Sequence, residues 1–228
     1  DAIDTGIPVD VWRYYLLANR PETSDTEFSW KDFQERNNSE LLANLGNFVN
    51  RTLTFADKNF GSVPESGLDP KGRELMTKID KEIKIYENLM DNIQLRDGIK
   101  QVMHISRMGN QFFQESQPWV SVKENKEVCA ASIYACSELV RRIAIISEPY
   151  LPETSKEIFS QLGVDVQTMN DLATMISPGQ KLGKVKPIFK KLEDKEIESL
   201  RNRFSGQREE KKGNGEKRMT KLSLPNLK

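Results

Sequence analysis

The chain has 228 residues, of which 37% are hydrophobic, enough to bury a core in one large or two small domains and too many for a disordered tail. Its 34 basic and 34 acidic residues cancel, so attraction to a polyanion must come from local patches, and neutrality does not exclude RNA. No apolar run approaches membrane-spanning length, and Asp1 to Asp10 is acidic rather than basic and apolar, so the expectation is a cytoplasmic protein without a signal or transit peptide.

Val9 to Asn19 reads as a short helix entered after Pro8 and stopped by Pro21, with Trp12, Tyr15, Leu16 and Asn19 at helical spacing. Such aromatic density predicts packing on a neighbouring body, either the bundle that follows or a domain outside this chain. Thr23 to Ser29 is a polar turn, and Ser29 suits the N-cap of a long helix.

From Phe33 to Phe60, Leu41, Leu45, Phe48 and Thr52 recur at three-and-four spacing, flanked by Leu42, Val49 and Leu53, as a buried face. A second edge carries Asn37, Glu40, Asn44, Asn47 and Arg51. Asparagine is a poor helix former, but its amide offers a donor beside an acceptor, and arginine offers a planar fork of donors. Asn47 and Arg51, one turn apart, therefore present two base-reading groups together. A solvated polar face is the competing reading of the same pattern.

Gly61 to Pro70 is a connecting loop. The next helix, from near Lys71, carries Leu75, Ile79, Ile83, Tyr86, Leu89 or Met90, and Ile93 inward, with Glu74–Lys78 and Asp80–Lys84 as surface pairs. A third helix, Arg96 to about Glu115, turns Ile99, Val102, Met103, Met108 and Phe112 inward and Lys100, His104, Arg107, Gln111 and Gln114 outward. His104, the sole histidine, has no metal ligand or nucleophile at a working spacing and reads as a surface residue. Pro118 ends that helix and sets Trp119 in the first turn of the next piece, as a core plug or as a stacking platform for an unpaired base.

Glu127 to Ser147 is a fourth long helix, with Val128, Ala135, Leu139, Ile143 and Ile146 as its stripe. Cys129 and Cys136 lie roughly 10 Å apart along it, too far for a disulfide, and read as core thiols of a reducing compartment. Thr154 to Leu162, ended by Gly163, and Gln167 to Thr174 are short helical pieces. With no repeat and no strand alternation, the fold class is all-α, a helical bundle. Lys181, Lys184, Lys186, Lys190 and Lys191 line an extended segment around Pro187. A helix follows from Asp194 to Phe204, and beyond Gly206 comes a flexible basic tail or plain linker. The chain holds no glycine-rich phosphate loop, no metal constellation and no nucleophile with its base, so by itself it is expected to catalyse nothing.

The string Asn38 to Arg51 (NSELLANLGNFVNR), with Gln117, Pro118 and Trp119, resembles the anticodon-binding domain of the methionyl-tRNA synthetases. Asp4 to Trp30 (DTGIPVDVWRYYLLANRPETSDTEFSW) is similar to the stem-contact region that follows the signature loop of the catalytic domain in the eukaryotic cytosolic members, and Pro152 to Gly163 and Lys181 to Gly206 are similar to later parts of the anticodon-binding domain. The resemblance implies a class Ia synthetase anticodon-binding bundle. Its parts are a stem-contact lead-in (1–30), the bundle (31–176), an appendage packing on the bundle or on a catalytic domain (177–206) and the tail (207–228). It implies that Asn47 and Arg51 hydrogen-bond the splayed CAU bases of tRNA(Met) and that Trp119 stacks on the first anticodon base; Asn44 and Asn110 border the region, and Asn44 is a secondary candidate because it shares the polar stripe. ATP and methionine would bind a catalytic domain absent from this chain, which reads as a fragment, so no cofactor is expected here. The implied protein partners are that catalytic domain, other synthetases and a tRNA-binding cofactor protein. Exposed apolar surface is expected on the helix around Val11 and near Phe189. The rivals are the related leucyl, isoleucyl, valyl and cysteinyl bundles, against which the string around Asn47 argues, and a helical protein-interaction module with no RNA contact.

Overall fold

The computed structural model describes residues 2–22 and 25–213, with side chains as far as Phe204. Among them every regular element is helical: α1 (Val9–Ala18), α2 (Trp30–Arg36), a π-helical stretch (Asn37–Gly46), α3 (Asn47–Phe60), α4 (Pro70–Asp91), α5 (Leu95–Ser116), α6 (Pro118–Glu124), α7 (Lys126–Ser147), α8 (Pro152–Leu162) and α9 (Asp194–Gly213). Asp1–Lys191 forms one compact unit and Leu192–Lys228 a second.

Helix α7 is the axis of the first unit. Leu139, Val140, Ile143, Ala144 and Ile146 are wholly buried, and burial runs almost unbroken to Ser147, as for a helix surrounded by its neighbours. Helices α3, α4, α5, α6 and α8 all pack against it. Its Asn125 cap accepts from the Val128 amide at 3.1 Å, which turns Val128 outward, 48% exposed, where the stripe expected it inside. Glu138 sits in the middle of this apolar helix with no exposure. Its oxygens accept from Arg141 at 2.8 Å, from Arg142 at 2.7 Å and from the Ile176 amide at 2.9 Å. Asp80 reaches across to Arg142 rather than pairing with Lys84, so α4 is tied to α7.

The segment 30–60 is helical throughout, started by the Ser29 hydroxyl accepting from the Asp32 amide. Between Asn37 and Gly46 the turns widen, and the Asn47 amide reaches back to the Leu42 carbonyl. Wider turns rotate the faces away from a 3.6-residue extrapolation, which is why Asn37 and Asn44 are buried while Asn47 and Arg51 are half-exposed.

Other boundaries differ locally. The expected stripe residue Ile93 lies past the end of α4 with φ 57° and is 68% exposed, because the chain reverses there into α5. Met108 is only half-buried, whereas Ile105 and Phe113 complete the inner face of α5. Phe189 is buried rather than exposed, because its ring seats against Gly46, where a Cβ would meet its Cδ2 at 3.0 Å. Val11 is buried too, and the apolar exposure near α1 belongs to Ile3, Val9, Leu16 and Phe28. Helix α9 runs past Phe204 to Gly213, so the first residues expected in the tail are helical, and 214–228 lie outside the described residues.

Candidate nucleic-acid interface

The π-helical stretch and α3 lie along α5, and one glycine sets how close they come. A Cβ on Gly109 would stand 2.5 Å from the buried Phe48 ring, so only the missing side chain lets α5 approach α3 at that level. Polar side chains of α3 and the π-helical stretch then meet groups of α5 along the seam, the rungs Asn47–Asn110 and Arg51–Gln114 following one another in chain order. Glu40 pairs with Arg107 at 3.0 Å, Asn44 donates to the Met103 carbonyl at 3.0 Å, Asn47 donates to the Asn110 Oδ1 at 3.0 Å, and Arg51 donates to the Gln114 Oε1 at 3.3 Å.

Beyond the last rung the seam becomes aromatic. The Arg51 guanidinium lies over the Phe113 ring, 4.5 Å from its centroid, within cation–π range. The Phe113 ring lies 6.3 Å from Trp119 and tilted 36° to it. Trp119 is 40% exposed, held in the first turn of α6 by Pro118 and by Gln117 at φ 43°. That exposure is too large for a core plug, and it leaves much of the indole to solvent.

The sequence-derived residues thus fall into two groups. Asn47, Arg51 and Trp119 share one partly open face. Asn44 is 93% hidden from solvent, and its amide bonds to the Met103 carbonyl, the Glu40 carboxylate at 3.2 Å and the Asn110 side chain at 3.3 Å, so its polar ends are already engaged. Next to Asn47 a cleft is lined by Ala43, Gly46, Asn50 and the strap Pro187–Ile188–Phe189. At the C-terminal end of α3 the Lys126 ammonium stands 5.6 Å from the Phe60 ring, with Lys58 and Lys123 also exposed. Beneath the seam, burial pushes the Tyr14 phenol far above its ordinary range, the Glu40 carboxylate adding to the shift.

Phe113 was hidden in the sequence because its neighbour Phe112 satisfied the apolar stripe. Asn110 and Gln114 are spaced four apart on α5, as Asn47 and Arg51 are on α3, and two helices in the same direction pair such steps rung by rung. That matched spacing was the available signal. No group of three or more His, Cys, Asp or Glu able to hold a metal ion occurs among the described residues.

Comparison with known proteins is consistent along the chain. Residues 63–209 match the family model for the anticodon binding domain of methionyl tRNA ligase, and residues 1–53 match that for class I tRNA synthetases (M). The chain is 40% identical over 232 residues to a probable methionine–tRNA ligase of Oryza sativa, covering 92% of this chain and 29% of the relative. It is likewise 40% identical over 213 residues to the cytoplasmic methionine–tRNA ligase of Homo sapiens, covering 90% of this chain and 24% of that protein. It therefore spans under a third of the length of these curated relatives. Mycobacterium tuberculosis methionyl-tRNA synthetase in its apo form superposes with a TM-score of 0.79 at 24% identity, over 84% of this chain and 40% of that one. The methionyl-adenylate complex of the same synthetase gives 0.75 at 26% identity, over 83% and 39%.

Proposed function

The chain belongs to the methionyl-tRNA ligase family, and from that premise we propose that the face formed by Asn47, Arg51 and Trp119 reads the anticodon of tRNA(Met). The observation that carries this reading is the run from polar to aromatic groups on one partly open seam. Amide and guanidinium donors stand beside a half-exposed indole, backed by Phe113. Sequence in RNA is read from unstacked loop bases by hydrogen bonds to their edges and stacking on aromatic faces, and these are the groups that do both. Trp119 is the platform for one splayed base, and Arg51 and Asn47 hydrogen-bond its neighbours. Asn44 acts from beneath, holding the seam together rather than touching RNA. The exposed Lys58, Lys123 and Lys126 supply salt-sensitive phosphate contacts.

In the whole enzyme this bundle positions the tRNA for ATP-dependent ligation of methionine by a catalytic domain, in the cytoplasm as its relatives' names have it. ATP and methionine bind that domain. The lead-in (1–30) contacts the stem side, and its exposed Ile3, Val9, Leu16 and Phe28 offer the apolar surface on which the catalytic domain or an assembly partner, such as another synthetase or a tRNA-binding cofactor protein, docks.

The test is binding of the chain to a CAU anticodon stem-loop against the same stem-loop with its first anticodon base changed, at two salt concentrations. A preference of about tenfold or more at both salts is expected, since one good base contact is worth about 1–3 kcal/mol. Equal binding that disappears with salt would leave only phosphate attraction and sink the proposal.

A further inference from the structure

The three asparagines of the seam are joined so that each fixes the next. Asn44 donates from Nδ2 to the Met103 carbonyl at 3.0 Å and to the Glu40 carboxylate at 3.2 Å, two groups that only accept. Its Oδ1 is thereby turned towards Asn110. The Asn110 Nδ2 donates to the Asn44 backbone carbonyl at 3.0 Å, to the Ser106 carbonyl at 3.3 Å and to the Asn44 Oδ1 at 3.3 Å. A reversed Asn110 amide would set its oxygen against three acceptors, so its Oδ1 must face Asn47, and it accepts from the Asn47 Nδ2 at 3.0 Å. The relay ends there. Among the described residues no protein group donates to the Asn47 oxygen, and Asn47 also borders the cleft beside Asn50 and the 187–189 strap.

We infer that Asn110 is a positioning residue that fixes which end of the Asn47 amide meets the RNA, so that Asn47 Oδ1 selects a base edge bearing an exocyclic amine. An unanchored asparagine turns its amide to suit either a donor or an acceptor, so it discriminates poorly. Anchored by Asn110, whose own amide is held by the Asn44 and Ser106 carbonyls, it presents an acceptor to the incoming base and leaves a carbonyl-bearing edge unmatched at that point. In the CAU triplet, cytosine and adenine carry such amines and uracil does not. The inference rests on the anticodon reading above.

The experiment measures binding of the 228-residue chain to three stem-loops: CAU, CAU with the cytosine 4-amine deleted (2-pyrimidinone), and CAU with the adenine 6-amine deleted (purine). Each is bound by the wild type, Asn110→Ala and Asn110→Leu, with melting temperature read in parallel. The wild type is expected to lose about tenfold for one of the two amine deletions. In both Asn110 variants that ratio is expected to fall to about twofold or less, while a role in stability alone would lower affinity for all three RNAs equally. If the wild type prefers CAU over the changed first base but ignores both amine deletions, the orientation of Asn47 is refuted and the anticodon reading stands. If either folded Asn110 variant keeps the full ratio, the relay is refuted. Loss of CAU preference in the wild type removes both proposals together.

Discussion

Arg51 on α3 lies over Phe113 on α5, its guanidinium carbon 4.5 Å from the ring centroid, while one of its nitrogens donates to Gln114 at 3.3 Å. A half-exposed cation held by both a ring and an amide is restrained before any ligand arrives, so little rotamer entropy remains to be lost on binding. Arg51→Ala is therefore expected to shift the melting temperature by no more than a few degrees, since an exposed cation–π contact is worth about 0.5–1 kcal/mol. Affinity for a CAU stem-loop is expected to fall about tenfold or more. Wild-type affinity in a folded variant would remove Arg51 from the interface.

Trp119 separates recognition from stability more sharply. With 40% of its surface open, Trp119→Ala does not leave the cavity that a buried tryptophan would, so the fold is expected to survive. Loss of a stacked base costs about 1–3 kcal/mol of RNA affinity. Trp119→Phe keeps a smaller ring and should recover part of that loss. A large fall in melting temperature without a change in RNA binding would return Trp119 to the core-plug reading.

How much of this was legible beforehand follows from which periodicities held. Apart from Ile93 and Met108, the stripes of α4 and α5, like the caps at Ser29 and Gly163, follow from local rules that the structure also obeys. The face bearing Asn47 and Arg51 was legible because α3 itself is regular, whereas Asn37 and Asn44 were misplaced because the turns before it are wide. The burial of Phe189 is not legible locally, because nothing in the sequence says that Gly46, 143 residues away, makes room for it. Long-range vacancies of that kind are a property of packing, and a glycine inside a helix signals only that something comes close.

Gly109 gives that idea a test. Its substitution by alanine would place a methyl 2.5 Å from Phe48 Cζ, with Cε1 at 2.6 Å, and the ring has no exposure through which to move. Gly109→Ala is expected to cost about 1–3 kcal/mol by overpacking, despite alanine's better helix propensity. Because the same contact sets the distance across the Asn47–Asn110 rung, RNA affinity should fall in the folded fraction as well. Stabilisation by Gly109→Ala in urea denaturation would show that α3 and α5 separate freely.

The cysteines are expected to be silent in the native state. Both are buried and unpaired; burial pushes the Cys129 thiol up, with the Ser121 hydroxyl and the Lys126 ammonium opposing, and pushes Cys136 far above the usual thiol range. A raised folded pKa keeps the unreactive protonated form through mildly alkaline pH, where a free thiol would already ionise. Iodoacetamide at pH 8 should therefore label neither in the folded chain and both in denaturant. Rapid native labelling of Cys136 would mean that α7 opens locally.

The strongest stability effect is expected at Glu138, where one carboxylate with no exposure answers two arginines. Arg141 spends its remaining donors on the Gln167 side chain at 2.6 Å and the carbonyls of Asp171 and Thr174, so the pair also pins the 3-10 turn Met169–Ala173 to α7. Replacing the ion cluster as a whole with apolar residues could be neutral, because burial of charge and its pairing nearly cancel. Removing only the carboxylate does not have that symmetry. Arg142 would keep Asp80, which is 58% exposed, but Arg141 would be left with neutral acceptors in an apolar helix, and the Ile176 amide would lose its partner. Glu138→Ala is therefore expected to cost about 3–5 kcal/mol, and Glu138→Gln less, since the amide oxygen still accepts from the arginines while its nitrogen opposes them. Urea midpoints measure both. If Glu138→Ala costs under about 1 kcal/mol, water must reach Arg141, and the network counts as a surface pair rather than as the bolt between α7 and the 169–176 segment.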